Sequence, residues 1–208
     1  MEIDPHSQPF RDNYKLLIGS VVPRPIAFVS SQNADGRLNL APFSFFNAVC
    51  PNPPTIMFAP VNRSADGTRK DTLLNILETE EFVVNIVTED IAENMNIAAT
   101  EYPKQYNEFE EAGLTPAPSV KITPPRVKES PINFECKLTK HVSIGEDGTP
   151  GSGNVIIGEV VYFHVADDLY HEGRIDLEKL KPIARLAGDD YCRVTDLFAM
   201  PRIPYETK

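Results

Sequence analysis

The chain reads most clearly where apolar and polar positions alternate. In "INFECKLTKH" (132–141), Ile132, Phe134, Cys136 and Leu138 fall on one side, and Asn133, Glu135, Lys137 and Thr139 on the other. A period of two is the mark of a β-strand. "NVIIGEVVYFHV" (154–165) is mostly apolar, as expected of a strand covered on both faces or closing a barrel. "IAFVSS" (26–31), "PTIMFAPV" (54–61) and "EFVVNIV" (81–87) are shorter runs that also read as strands. Asp35-Gly36 in "QNADGR" signals a hairpin after the first of these, and "GEDGTPGSGN" (145–154) a second hairpin loop.

Helical spacing is rarer. In "DTLLNILETEEF", Leu73, Ile76 and Leu77 share a face, with Asp71 or Thr72 available as N-cap. "TEDIAENMNIAA" (88–99) spaces Ile91, Met95 and Ala98 helically, and "KQYNEFEEAG" (104–113) reads as a short helix stopped by Gly113. The proline-dense "LTPAPSVKITPPRVKESP" (114–131) is read as a strap across the domain, because the strands on either side of it are of one type. Short strands, turn signals and few helices favour a closed antiparallel barrel. The crossover from 54–61 through a helix to 81–87 departs from a simple meander.

The apolar pattern breaks between residues 24 and 54. Ile26-Ala27-Phe28-Val29 stops at Ser30 and Ser31, and Asn39, Ser44 and Asn47 then interrupt the apolar positions. Each such group needs a hydrogen-bond partner if buried. They are either ordinary strand ends and turns or the lining of a groove. A second stretch, "NRSADGTRKDTLLNILE" (62–78), gathers Arg63, Arg69 and Lys70 just before a helix start at Asp71-Thr72. A helix N-terminus with basic neighbours attracts anions. The competing reading is a solvated loop, with Asp71 repelling phosphate. If the two stretches line one groove rather than forming ordinary strand ends and turns, they make an apolar slot edged by amides and hydroxyls, with an anion site at one end. That is what a flavin mononucleotide requires.

Composition narrows the field. A length of 208 residues fits one domain, and the fractions of hydrophobic (41%) and charged (24%) residues are those of a globular protein. The formal charge of −10 argues against nucleic acid or an anionic membrane surface as partner. Cys50, Cys136 and Cys192 form no CxxC pair and read as scattered thiols of a reducing cytosol. "MEIDPHSQPF" lacks the basic and apolar regions of a signal peptide, and no apolar run approaches a membrane span. A cytoplasmic protein is expected.

HExxH, GxSxG and Walker A motifs are absent. "GSGNVIIG" (151–158) precedes a strand and so fails as a dinucleotide fingerprint. His164, within an apolar strand, reads as a hydrogen-bonded structural histidine. None of His6, His141, His164 and His171 is assigned a metal or acid–base role, and no catalytic residue is assigned.

"PRPIAFVSS…DGRLNLAPFSFFNAVCPNPPTIMF", with "KDTLLNI", "EFVVNIV", "PPRVKESPINFECKL", "VIIGEVVYFHV" and "PIARLAGDDY", resembles the flavin reductase-like, FMN-binding split-barrel family. That family includes flavoredoxins and the small reductase components of two-component monooxygenases, and the likeness extends to the reductase component of nitrilotriacetate monooxygenase. The resemblance runs from Tyr14 to about Tyr191 and implies a mainly β fold: a six-stranded antiparallel Greek-key split barrel with peripheral helices, one domain over 1–208. It implies a homodimer with noncovalent FMN near the subunit interface, hydride supplied by NADH or NADPH, and an oxygenase or other acceptor as partner. By position, Ser30, Ser31, Asn39, Ser44 and Asn47 would contact the flavin ring and ribityl chain. Arg63, Lys70 and Thr72 would hold the phosphate, beside Asp71 as helix cap. Arg185 and Tyr191 would approach the site or serve the dimer interface. A flavin-binding electron carrier without pyridine-nucleotide activity, or a barrel that binds another ligand, are the alternatives.

Overall fold

Alternating and apolar runs of this kind bury their apolar face only by joining a sheet. In the computed structural model, which describes residues 1–205, seven strands do so. They are β1 (Ala27–Gln32), β2 (Leu38–Phe43), β3 (Phe46–Pro51), β4 (Pro54–Phe58), β5 (Glu81–Ile86), β6 (Ile132–Ile144) and β7 (Gly153–Val165). The order is β2-β1-β5-β6-β7-β4-β3, and every pairing is antiparallel. The expected count of six strands is therefore corrected to seven. The additional strand is β3, which pairs from Phe46 opposite Phe58 to Pro51 opposite Pro54. Its Asn47, Ala48 and Val49 are exposed, so no covered face imposed an apolar period on that stretch.

The sheet curls. Ala27 and Val29 of β1 lie four places from β4 in strand order, yet share one apolar cluster with its Ile56 and Phe58. Phe82, Val84, Cys136, Ile156 and Val160 complete that interior. Gly158 is required there, since a Cβ at its position would stand 2.5 Å from the Phe82 ring. Helix α2, Asp71–Thr79, covers the same interior with Leu73 and Ile76. Each fully buried Leu, Ile or Phe contributes about 1.5–3 kcal/mol.

The sheet's other face is covered too. Ile26, Phe28 and Leu40 pack with Met95 and Ala98 of a helix spanning Ala92–Ala98, with Phe109 of a short helix at Glu108–Glu111, and with Val127 of the strap. β1 is thus buried on both sides. The strap is fastened in place: Pro116-Ala117 pairs with Arg126-Val127, and the backbone N–H groups of Val120 and Lys121 donate to the Glu135 carboxylate at 2.7 and 2.6 Å.

Helix boundaries shift for identifiable reasons. The helical signal at 88–99 splits into a 3₁₀ turn at Glu89–Ile91 and the helix from Ala92. The one at 104–113 shortens to Glu108–Glu111, where Asn107 Oδ1 accepts from the Phe109 N–H at 3.1 Å. The N-cap of α2 is Lys70, without a side-chain cap bond, rather than Asp71 or Thr72. Asp71 turns instead to Arg63, at 2.9 Å. One helix, α1 at Phe10–Ser20, was not expected. It buries a single side chain, Ile18, and begins after Pro9 with no side-chain cap.

Candidate functional site

α1 does not fill the core; it walls a cleft. Phe10, Tyr14 and Ile18, spaced by four, face Phe43 at the end of β2, the Ser44-Phe45 turn before β3 and the segment Val61–Arg63 across a cavity of about 900 Å³. Tyr14 and Phe45 meet across it, with ring centroids 6.5 Å apart.

Arg24 sets this arrangement. It is 4% exposed, and its guanidinium donates to Ile18 O at 2.6 Å, Val21 O at 2.7 Å, Leu186 O at 2.7 Å and Ser44 Oγ at 3.3 Å. One side chain thereby satisfies carbonyls at the end of α1 and joins three elements around the cleft. Burial, the largest influence, pulls its pKa down; Tyr14 opposes the shift and Arg185 adds to it. Because the Ser44 oxygen accepts from Arg24, its own O–H is left to donate.

At the other end lie the basic groups. Arg63 donates to Arg69 O at 2.6 Å and to Asp71 Oδ2 at 2.9 Å, and Lys70 pairs with Glu101. Arg69 turns away to Asp147 in the loop between β6 and β7, at 2.7 Å. A recess of about 100 Å³ continues past these groups, sharing Arg63, Lys70 and Glu101 with the cleft and adding Asn39, Thr72 and Glu108. Burial raises the Glu108 carboxyl above its usual pKa against the pull of the Leu40 N–H, and nearby Asp71 raises it further.

Of the eight sequence candidates, Ser44, Arg63 and Lys70 line the cleft, and Asn39 and Thr72 line the recess. The other three line neither. Ser30 Oγ donates to Pro125 O of the strap at 2.5 Å and accepts from Asn85 Nδ2 at 3.2 Å. Ser31 Oγ accepts from Asn75 Nδ2 of α2 at 3.2 Å. Since β1 is covered on both faces, successive side chains meet the strap and the helix in turn. Asn47 is exposed on β3, its Oδ1 accepting from the Ala48 N–H at 2.8 Å. The polar break after Val29 is in part a core network, not a lining.

Arg185 and Tyr191 face each other across a hairpin, Ile183–Arg185 against Tyr191–Arg193, with the guanidinium 4.5 Å above the ring. Ala187 and Gly188 of the intervening turn reach the cleft. Arg24 and the wall of α1 were missed in the sequence. The spacing Phe10, Tyr14, Ile18 was the available signal. Among the described residues no group of three or more His, Cys, Asp or Glu could hold a metal, and no helix is long and apolar enough to cross a membrane.

A curled antiparallel sheet with an apolar cleft ending at a basic helix tip defines a split-barrel protein of the flavin-related oxidoreductase class. The chain belongs to the flavin reductase like domain family, matched over residues 18–179. It is similar to nitrilotriacetate monooxygenase component B from Bacillus cereus, with 44% identity and a TM-score of 0.91 over 96% of this chain and 98% of that one. Similar too is 2-nitrobenzoate 2-nitroreductase from Pseudomonas fluorescens: 35% identity and a TM-score of 0.86, over 100% and 99%. Flavoredoxin of Desulfovibrio vulgaris (Miyazaki F), at 24% identity and a TM-score of 0.72 over 86% and 91%, shares the fold.

Proposed function

We propose that the chain is an FMN-binding flavin reductase, one domain throughout, that takes hydride from NADH or NADPH and passes electrons to an acceptor such as a partner oxygenase. The observation that carries this reading is the cleft itself: apolar and aromatic along Tyr14, Phe43 and Phe45, and basic at the uncapped tip of α2. A flat ring fits the first part and a phosphate the second.

FMN, when bound, supplies the hydride-accepting and electron-donating chemistry. Arg63 and Lys70 would neutralise its phosphate, and the Thr72 hydroxyl, whose oxygen accepts from Asn39, would donate a hydrogen bond to it. Ser44, oriented by Arg24, donates a hydrogen bond farther along the cleft. α1 excludes water from one side. Hydride transfer to the flavin requires no side chain to move a proton.

The exposed apolar side chains of Leu17 in α1, Val21 just after it, Val49 of β3 and Phe163 of β7 support a homodimer. Three free thiols support a cytoplasmic setting. The name of the nitrilotriacetate monooxygenase component supports an oxygenase as acceptor.

The test is to mix the FMN-loaded protein anaerobically with NADH and, separately, NADPH. Bleaching of the visible flavin band with either supports the reductase reading. A band that persists with both overturns it and leaves an electron carrier of the flavoredoxin kind.

A further inference from the structure

The two cations at the end of the cleft are already paired, and by carboxylates held in different ways. Asp71 is the first residue of α2, its side chain 29% exposed, and Arg63 grips it at 2.9 Å while also bonding Arg69 O. Glu101 sits on the connection between the helices at Ala92–Ala98 and Glu108–Glu111. Its carboxylate pairs with Lys70 Nζ and lies 4.0 Å from Arg63 Nε, so one group spans both cations. Yet its side chain is 57% exposed and, among the described residues, accepts a hydrogen bond from Lys70 alone. Rotation about its side-chain torsions returns it to water, whereas moving Asp71 breaks a shielded pair at a helix start.

Glu101 also borders both the cleft and the recess. Its carboxylate therefore occupies the place on Lys70 that the phosphate takes in the reading above. We propose that Glu101 is a displaceable internal counter-ion that balances Lys70 and Arg63 until a phosphate monoester takes its place. The proposal rests on the assignment of Arg63 and Lys70 to a phosphate.

The exchange follows from charge. Exchanging the carboxylate for another monoanion gains nothing, since one unit charge replaces another at the same two cations. A phosphate monoester carries about −1.5 to −2 near neutral pH, so the exchange gains attraction to both. An uncharged ligand such as riboflavin leaves the Lys70–Glu101 pair intact and is indifferent to it. In the empty cleft Glu101 also keeps two adjacent cations from repelling each other.

Flavin fluorescence titrations of FMN and riboflavin test this on the parent, Glu101→Gln, Lys70→Ala and the double variant. Glu101→Gln is expected to tighten FMN about two- to fivefold, the range of a solvent-exposed ion pair, and to leave riboflavin unchanged. The gain should vanish in the Lys70→Ala background. FMN bound by Glu101→Gln no more tightly than by the parent, or a gain that survives without Lys70, overturns the counter-ion role and leaves the phosphate assignment standing. A folded parent that takes up no FMN overturns both.

Discussion

The Asn39 amide donates to the Thr72 hydroxyl at 2.7 Å, and both residues are buried. This bond ties β2 to the first turn of α2. Asn39 stands opposite Ser31 in the sheet, and Ser31 accepts from Asn75 one turn farther along the helix. Two hydrogen bonds thus hold the helix tip against the strand pair that borders the cleft.

Thr72→Val keeps the shape and removes the acceptor, leaving the Asn39 amide buried without its partner. An expected loss of about 1–3 kcal/mol follows, with Thr72→Ser near the parent. Urea unfolding measures it, and equal midpoints for Thr72→Val and the parent would remove the tie from the account of the fold.

Arg63→Ala combined with Lys70→Ala should weaken FMN tenfold or more, since charge-assisted hydrogen bonds are worth about 1.5–3 kcal/mol each when shielded from water. Riboflavin, lacking the phosphate, should be affected far less. Unchanged FMN binding by the double variant would place the phosphate elsewhere.

Asn85 is the centre of the core network on β5. Its amide donates to Phe28 O at 2.9 Å and to Ser30 Oγ at 3.2 Å, and its carbonyl accepts from Val127 N and Asn133 Nδ2, each at 2.8 Å. Asn85→Leu strips all four at once, and with about 1–3 kcal/mol for each group left unpaired it should cost several times as much as Ser30→Ala. Denaturant unfolding of the two variants gives the ranking, and a Ser30→Ala loss as large as that of Asn85→Leu would contradict it.

Glu135 supplies a pH dependence. Its side chain is fully buried, and burial alone would raise its pKa. The bonds from His164 Nε2 at 2.6 Å and from the Val120 and Lys121 N–H groups outweigh burial and hold it below the ordinary carboxylate value. A folded pKa below the unfolded one means stability that is present above the unfolded value, about 4.5, and lost as pH falls through the folded one. Glu135→Gln should therefore destabilise the protein at neutral pH, with the gap to the parent narrowing below about pH 4.5. Thermal unfolding of both proteins from pH 7 to 3 measures it; a gap constant across that range would show that the carboxylate's charge is not what holds the strap.

β6 shows how far local pattern reaches. Its alternation sorted Asn133 and Glu135 from Ile132, Phe134 and Cys136 correctly, but nothing local announces that the polar side is covered. The strap lies over it, so Asn133 and Glu135 are buried and bonded to Asn85 and to the strap backbone. The same covering absorbs Ser30. α1 was missed because a helix that walls a cleft leaves its apolar positions only half covered, and β3 because its exposed residues carry no period.

By itself the amino-acid order determined the antiparallel strands, the basic start of α2 and the membership of the chain in its family, because period, turn residues and contiguous motifs are local properties. Which side of β1 meets the strap, which meets α2, and that Arg24, Ser44, Lys70 and Glu101 gather around one cleft were decided only by the curled sheet. A strand's two faces are equivalent until distant segments cover them. The partners of a buried hydroxyl or an ion pair, as for Ser30 and Pro125, 95 residues apart in the chain, are chosen by that covering.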